Sequence, residues 1–166
     1  RQLIAMALVF GAAFAHAQGR LEIEGAPDDV SNNVRNHIGT ITDAELRHPR
    51  QLRRRLRQTI PTATEALGYY KPKFELAVDG KTVRLKLQLG EPVLWAPPDI
   101  RIDAEAKQIK AIARRVTESP LVAGRRMDQG VYDTFKRDLL ESCLEYGFLD
   151  ARYGASEIRV DVNSLQ

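Results

Sequence analysis

The chain has 166 residues, 43% of them hydrophobic, a net charge of +3 and a single cysteine, Cys143. One thiol makes no intramolecular disulfide, so a disulfide scaffold is excluded, and the length suits two units of about 70–80 residues, each near the lower limit for burying a core unaided. The small total charge hides an asymmetry: residues 20–90 hold 13 Lys and Arg against 9 Asp and Glu, whereas residues 91–166 hold 11 against 13.

Leu3 to Phe14 is nearly all apolar, follows Arg1 and precedes Ala15-His16-Ala17. A short apolar run after a cation and before small residues reads as a secretory signal peptide, so residues 1–17 are expected to be a cleaved leader, with Gln18 the mature start. The run is too short to span a bilayer as a settled helix. A start at Arg1 and a strand-like end predict a piece of a longer protein.

Residues 18–90 read as a first unit. Leu21 and Ile23 alternate with Glu22 and Glu24 and stop at Gly25, a short strand with one buried face. Asp28 or Asp29 then caps a helix through Val30, Val34 and Ile38, ended by Gly39. Thr40 to Pro49 is a connection, and Leu52, Leu56, Ile60, Ala63 and Leu67 make a second helical stripe up to Gly68, with a kink or break expected at Pro61. Phe74, Leu76 and Val78 alternate, as do Val83, Leu85, Leu87 and Leu89. For both sets to share a face, Val78 opposes Val83 and Leu76 opposes Leu85, leaving Gly80-Lys81 as a two-residue hairpin loop of the type II′ kind.

Residues 91–166 repeat the order. Leu67-Gly68-Tyr69-Tyr70 with Phe74 answers to Tyr146-Gly147-Phe148-Leu149 with Tyr153 at an offset of 79 residues, which also carries Leu21 and Ile23 onto Ile100 and Ile102. Two copies of one small domain follow from a shared offset of that length. Pro92, Pro97 and Pro98 make Val93-Leu94-Trp95 an edge or connector, with Trp95 packing at the junction of the copies. Ile100 and Ile102 carry a strand, Ile109, Ile112, Ala113 and Val116 a helical face, and Asp128 caps a helix through Val131, Phe135, Leu139 and Cys143, closed by Gly147. Ala151 to Ser156 and Ile158 to Val162 read as one strand broken at Gly154. No counterpart of Thr82 to Leu89 follows, so the second copy is expected to stop before its last strand.

The fold class is therefore α+β, two tandem β-α-α-β-β units with the second incomplete. That order on an exported chain resembles the polypeptide-transport-associated (POTRA) domains of outer-membrane assembly proteins, and among them the translocation and assembly module family, TamA. The matching words are Leu67-Gly68-Tyr69-Tyr70-Lys71-Pro72-Lys73, Gly90-Glu91-Pro92-Val93 with Ile100-Arg101-Ile102, Tyr132-Asp133 with Lys136, and Gly147-Phe148 with Asp150-Ala151. The resemblance implies the periplasmic arm of a Gram-negative outer-membrane protein that assembles and translocates autotransporters and other nascent outer-membrane proteins. It implies, too, a C-terminal membrane barrel outside this chain and a TamB-like inner-membrane partner. The arginine-rich helix and Pro61 are not part of the match, and no functional residue of the family is carried onto them.

In POTRA-like domains the strand after the second helix lies at a sheet edge, which here makes Lys71, Lys73, Phe74, Glu75, Leu76 and Val78 candidate contact residues for an added client strand. Lys71 and Lys73 around Pro72 guard one end against indiscriminate pairing. The second candidate surface is basic: Arg47, Arg50, Arg53, Arg54, Arg55 and Arg57 crowd a stretch with no acid between Leu46 and Thr64. Arg50, Arg53, Arg54 and Arg57 are expected outside, with Leu52 and Leu56 inside. The rival function for this patch is nucleic-acid or anionic-surface binding; export, an acidic second copy and the lack of interleaved aromatics weigh against nucleic acid. No nucleophile with a base, phosphate loop or metal-ligand spacing is readable, so no catalytic, cofactor or metal residue is assigned. His37 and His48 stand apart from other ligand types, Cys143 reads as core, and Gly68 and Gly147 as helix terminators.

Overall fold

The computed structural model describes residues 19–161 and 163. The leader at residues 1–17, the mature start at Gln18 and the strand end at Val162 lie outside the described residues. Strand β1 (Arg20–Glu24) is followed by helices α1 (Asp28–Ile38), α2 (Asp43–Arg47) and α3 (Pro49–Glu65), then strands β2 (Lys73–Asp79) and β3 (Thr82–Gln88). The sheet order is β1-β3-β2, with β1 parallel and β2 antiparallel to β3. The hairpin register is the expected one: Val78 faces Val83, Leu76 faces Leu85 and Phe74 faces Leu87. Gly80 opens the two-residue turn at φ +57, a conformation that costs glycine little.

One face of the sheet is apolar because β3 alternates strictly: Val83, Leu85 and Leu87 are buried while Arg84, Lys86 and Gln88 are exposed. Against it pack Val30, Val34 and Ile38 of α1 and Leu52, Leu56 and Ile60 of α3. The helix ends inside this layer are satisfied by side chains. Asn33 Nδ2 donates to the Ala63 carbonyl at 2.7 Å, and Arg55 Nη1 donates to the Ile38 carbonyl at 2.7 Å, each carbonyl lying in a final helical turn that has no N–H to offer it.

Three details depart from the sequence reading. Pro27, not Asp28 or Asp29, is the N-cap of α1 and no side chain caps it; both aspartates sit in the first turn, where they complement the helix dipole. The Thr40 to Pro49 connection contains α2, too short to show an apolar stripe but announced by a capping box, in which Thr42 Oγ1 accepts from the Glu45 N–H and Glu45 Oε2 accepts from the Thr42 N–H. Pro61 does not break α3, which runs 17 residues. Full burial of Leu52, Leu56 and Ile60 contributes about 1.5–3 kcal/mol each and outweighs the roughly 3 kcal/mol cost of an interior proline.

The second unit has α4 (Ala104–Gln108), α5 (Lys110–Thr117) and α6 (Gln129–Glu145) around a separate cluster of Ala106, Ile112, Leu121, Phe135 and Leu139. Asp128 caps α6 as expected, its Oδ1 accepting from the Val131 N–H. Val131 itself is exposed; Tyr132, Phe135, Leu139 and Cys143 make the inner face. The helical face expected from Ile109 to Val116 forms as α5, with Ile109 as its N-cap, and α4 precedes it as an additional short helix. The strands expected at Ile100–Ile102 and from Ala151 onward are not formed among the described residues. In the first unit β1 and β2 each form a ladder with β3, whereas no strand forms among the described residues after Gln88 with which these segments could pair.

The units join through backbone. The Val93 N–H donates to the Gly68 carbonyl at 2.8 Å, Met127 N–H to Val93 at 2.9 Å and Gln129 N–H to Ala66 at 2.8 Å. Gly68 has φ +86, and a Cβ there would stand 3.0 Å from the Met127 oxygen and 3.1 Å from the Val93 oxygen. It is both the terminator expected and a point of close backbone approach. Trp95, expected at this junction, packs instead into the second cluster beside the Tyr132 ring, 6.4 Å between centroids.

Candidate functional site

Because the hairpin loop has two residues, the flanking pair Asp79 and Thr82 is the first hydrogen-bonded pair, and bonded pairs then alternate through Ala77, Glu75 and Lys73. The N–H and C=O groups of Phe74, Leu76 and Val78 consequently point away from β3, at the open edge of the sheet. Side chains of the same three residues are half-buried against the helices, while Lys73 and Glu75 are exposed on the outer face; Lys71 is exposed just before the strand. The structure thus gathers Lys73, Phe74, Glu75, Leu76 and Val78 on one edge strand, as the sequence reading placed them.

That edge is not wholly vacant. Arg53 Nη2 donates to the Leu76 carbonyl at 3.2 Å, so the basic helix and the strand edge, read separately from the sequence, meet at one residue. Nothing in one dimension signals this contact, which spans 23 residues. Arg50, Arg54 and Arg57 are exposed beside it, with Leu52 and Leu56 inward as expected. Arg55 behaves differently from its neighbours. Its Nε donates to Glu45 Oε1 at 2.6 Å and its Nη1 to Ile38, which makes it a structural tie between α3, α2 and the end of α1. Burial pushes the Glu45 carboxyl up, but the Thr42 amide and the Arg55 charge outweigh it, and the group is held below its ordinary value.

The other sheet edge is less accessible. The Arg20 N–H bonds to Lys81, so Arg20, Glu22 and Glu24 face β3 and Leu21 and Ile23 face outward. Arg35 Nη1 donates to the Leu21 carbonyl at 2.7 Å, and the Gly19 N–H just before the strand bonds to Ile41.

A second polar cluster, unsuspected from sequence, lies where the units meet. Arg126 pairs with Asp29 and stands 5.7 Å from the centre of the buried Tyr69 ring. The hydrogen bond from Arg126, ahead of a smaller opposing effect of burial, holds the Asp29 carboxyl below its ordinary value. His37 Nδ1 lies 2.9 Å from the Asn33 carbonyl, and burial pushes the Cys143 thiol up, which disfavours a thiolate.

With that architecture in place, comparison with known families is specific: residues 20–89 match the model described as POTRA domain TamA domain 1. This segment is a POTRA domain of the TamA family. The match covers β1 through the end of the sheet and stops before Gly90, so the three-stranded unit, its β2 edge and the α3 helix all lie within the matched segment. No helix among the described residues is long and apolar enough to cross a membrane.

Proposed function

We propose that this chain is a periplasmic scaffold in outer-membrane protein assembly, serving autotransporters and other nascent barrel proteins through protein contacts and without catalysis. Its POTRA domain holds an extended client segment by letting it add to the open edge of β2. The observation that carries this is the sheet order, which leaves the backbone groups of Phe74, Leu76 and Val78 directed outward from a rigid, helix-backed sheet. Main-chain pairing makes little demand on side chains, which suits a factor with many clients. Residues 91–166 are a second POTRA-like unit, residues 1–17 a leader, and the wider assembly includes a membrane barrel and a TamB-like inner-membrane partner.

The test is a titration of the isotope-labelled chain with an extended outer-membrane peptide and with the same peptide N-methylated along its pairing edge. Shifts centred on Phe74, Leu76 and Val78 with the first peptide, and their loss with the second, are expected. Equal binding of the two peptides rules strand addition out.

A further inference from the structure

We infer that the β2 edge and the arginine face of α3 form one surface, whose partner is an extended polypeptide segment with acidic side chains at alternate positions; the inference rests on the strand-addition reading above. Arg50, Arg53, Arg54 and Arg57 recur at helical spacings of three and four and therefore share a face of α3. None of the four makes an ion pair among the described residues, although Arg20, Arg55 and Arg84 of the same unit all do. The face holds an uncompensated positive charge, and it borders the backbone row through the Arg53 to Leu76 bond.

That bond is an exchangeable cover. A guanidinium bonds a neutral carbonyl more weakly than a carboxylate. An incoming strand brings an N–H for the Leu76 carbonyl and, if acidic, a carboxylate for the released Arg53, so both partners of the broken bond are satisfied again. Alternate side chains of an added strand project to the same face about 6.6–6.8 Å apart, close to the 5.4 Å advance of one helical turn, so successive acids meet successive turns of the arginine face. The β1 edge lacks this arrangement, since its outward Leu21 carbonyl is held by Arg35 with no arginine row beside it. A polypeptide fits better than a phosphate polymer or lipid surface, because its extended backbone offers N–H donors at the spacing of the carbonyl row.

The experiment titrates the full chain with an end-blocked octapeptide of alternating Thr and Glu, its Thr-Gln counterpart, a Thr-Glu version N-methylated at every residue, and phosphatidylglycerol vesicles. At low salt the Thr-Glu peptide is expected to bind about tenfold tighter than Thr-Gln, with the difference shrinking as salt rises. The triple variant Arg50→Gln, Arg53→Gln, Arg57→Gln should abolish that difference without weakening Thr-Gln binding or lowering the thermal midpoint. Equal affinity for Thr-Glu and Thr-Gln overturns the acidic partner yet leaves strand addition standing. Undiminished binding of the N-methylated peptide, or no binding of any peptide, overturns strand addition itself. Vesicle binding through the same arginines without a peptide preference assigns the surface to lipid and overturns the inference.

Discussion

Residues 20–89 and the unit that follows share a helical order, yet only the first builds a sheet. In the first, β3 lies between its neighbours with Val83, Leu85 and Leu87 at most 2% exposed. In the second, Ile100, Ile102, Ile158 and Val160 line an open cavity of about 1310 Å³ together with Trp95, Phe135 and Phe148. Every large hydrophobic side chain exposed among the described residues, from Leu94 to Tyr153, belongs to this second unit, Leu149 most of all. The difference teaches that helices close their own hydrogen bonds and form wherever an apolar stripe finds a face, whereas a strand exists only with a partner. The central strand is therefore the keystone of the fold.

The comparison breaks most sharply at Leu85. Leu85→Ala removes a buried side chain from the middle of β3, and a loss of about 3–4 kcal/mol is expected for the first unit. Hydrogen exchange should show α1, α3 and the sheet losing protection while α6 keeps its own, because the second cluster contains no residue of the first. Equal loss in α6 would show one cooperative core and dissolve the distinction.

The repeated glycines sharpen it. Gly68 and Gly147 both take φ near +90, but only Gly68 has backbone oxygens where a Cβ would go; nothing stands within 4 Å of Gly147. Gly147→Ala should cost about 1 kcal/mol, the conformational penalty alone, and Gly68→Ala about 2–3 kcal/mol because Met127 and Val93 must move as well. Chemical denaturation of the two variants measures both, and equal costs would mean that the junction yields freely.

These contrasts also mark what the sequence could and could not tell. Alternation of Val83, Leu85 and Leu87 against Phe74, Leu76 and Val78 dictated the hairpin register, since a slip of one residue would turn a whole apolar set outward. The exposure of Arg50, Arg53, Arg54 and Arg57 and the Asp128 cap were legible for similarly local reasons, whereas the edge position of β2 came from the POTRA resemblance. Strands at Ile100 and Ala151 were over-read, because alternation records a preference for a half-buried pleat and says nothing about whether a neighbour is there. Contacts across the fold were invisible: Arg53 to Leu76, Arg55 to Ile38 and Arg126 to Asp29 join residues that no period links. Thr42 and Glu45 were a readable signal passed over.

Within α3 the two kinds of arginine differ in their work. Arg55→Gln should cost about 1 kcal/mol, losing the Glu45 pair and the Ile38 bond but relieving a terminal nitrogen that is buried without a partner among the described residues. Arg54→Gln, on the solvent side, should stay within about 0.5 kcal/mol of the parent. Matched thermal melts compare them, and an equal loss would mean that the exposed row is structural as well.

The smallest effect concerns the ion pair between the units. Asp29 is held below its ordinary value of 3.8 chiefly by the hydrogen bond from Arg126. A carboxyl depressed in the folded state stabilises fully above its unfolded pKa, and that contribution disappears as pH falls through the lower folded value. The window therefore opens near pH 3.8 and extends below it, leaving neutral pH unaffected. With the Asp29 side chain 49% exposed, solvent screening keeps the contribution under about 1 kcal/mol. Following the Arg126 Nε–H resonance and the thermal midpoint down through this window should show the junction loosening while the β2–β3 register persists. Asp29→Asn, which cannot titrate, should flatten that part of the profile. An unchanged slope in the variant would place the acid response outside the Asp29–Arg126 pair.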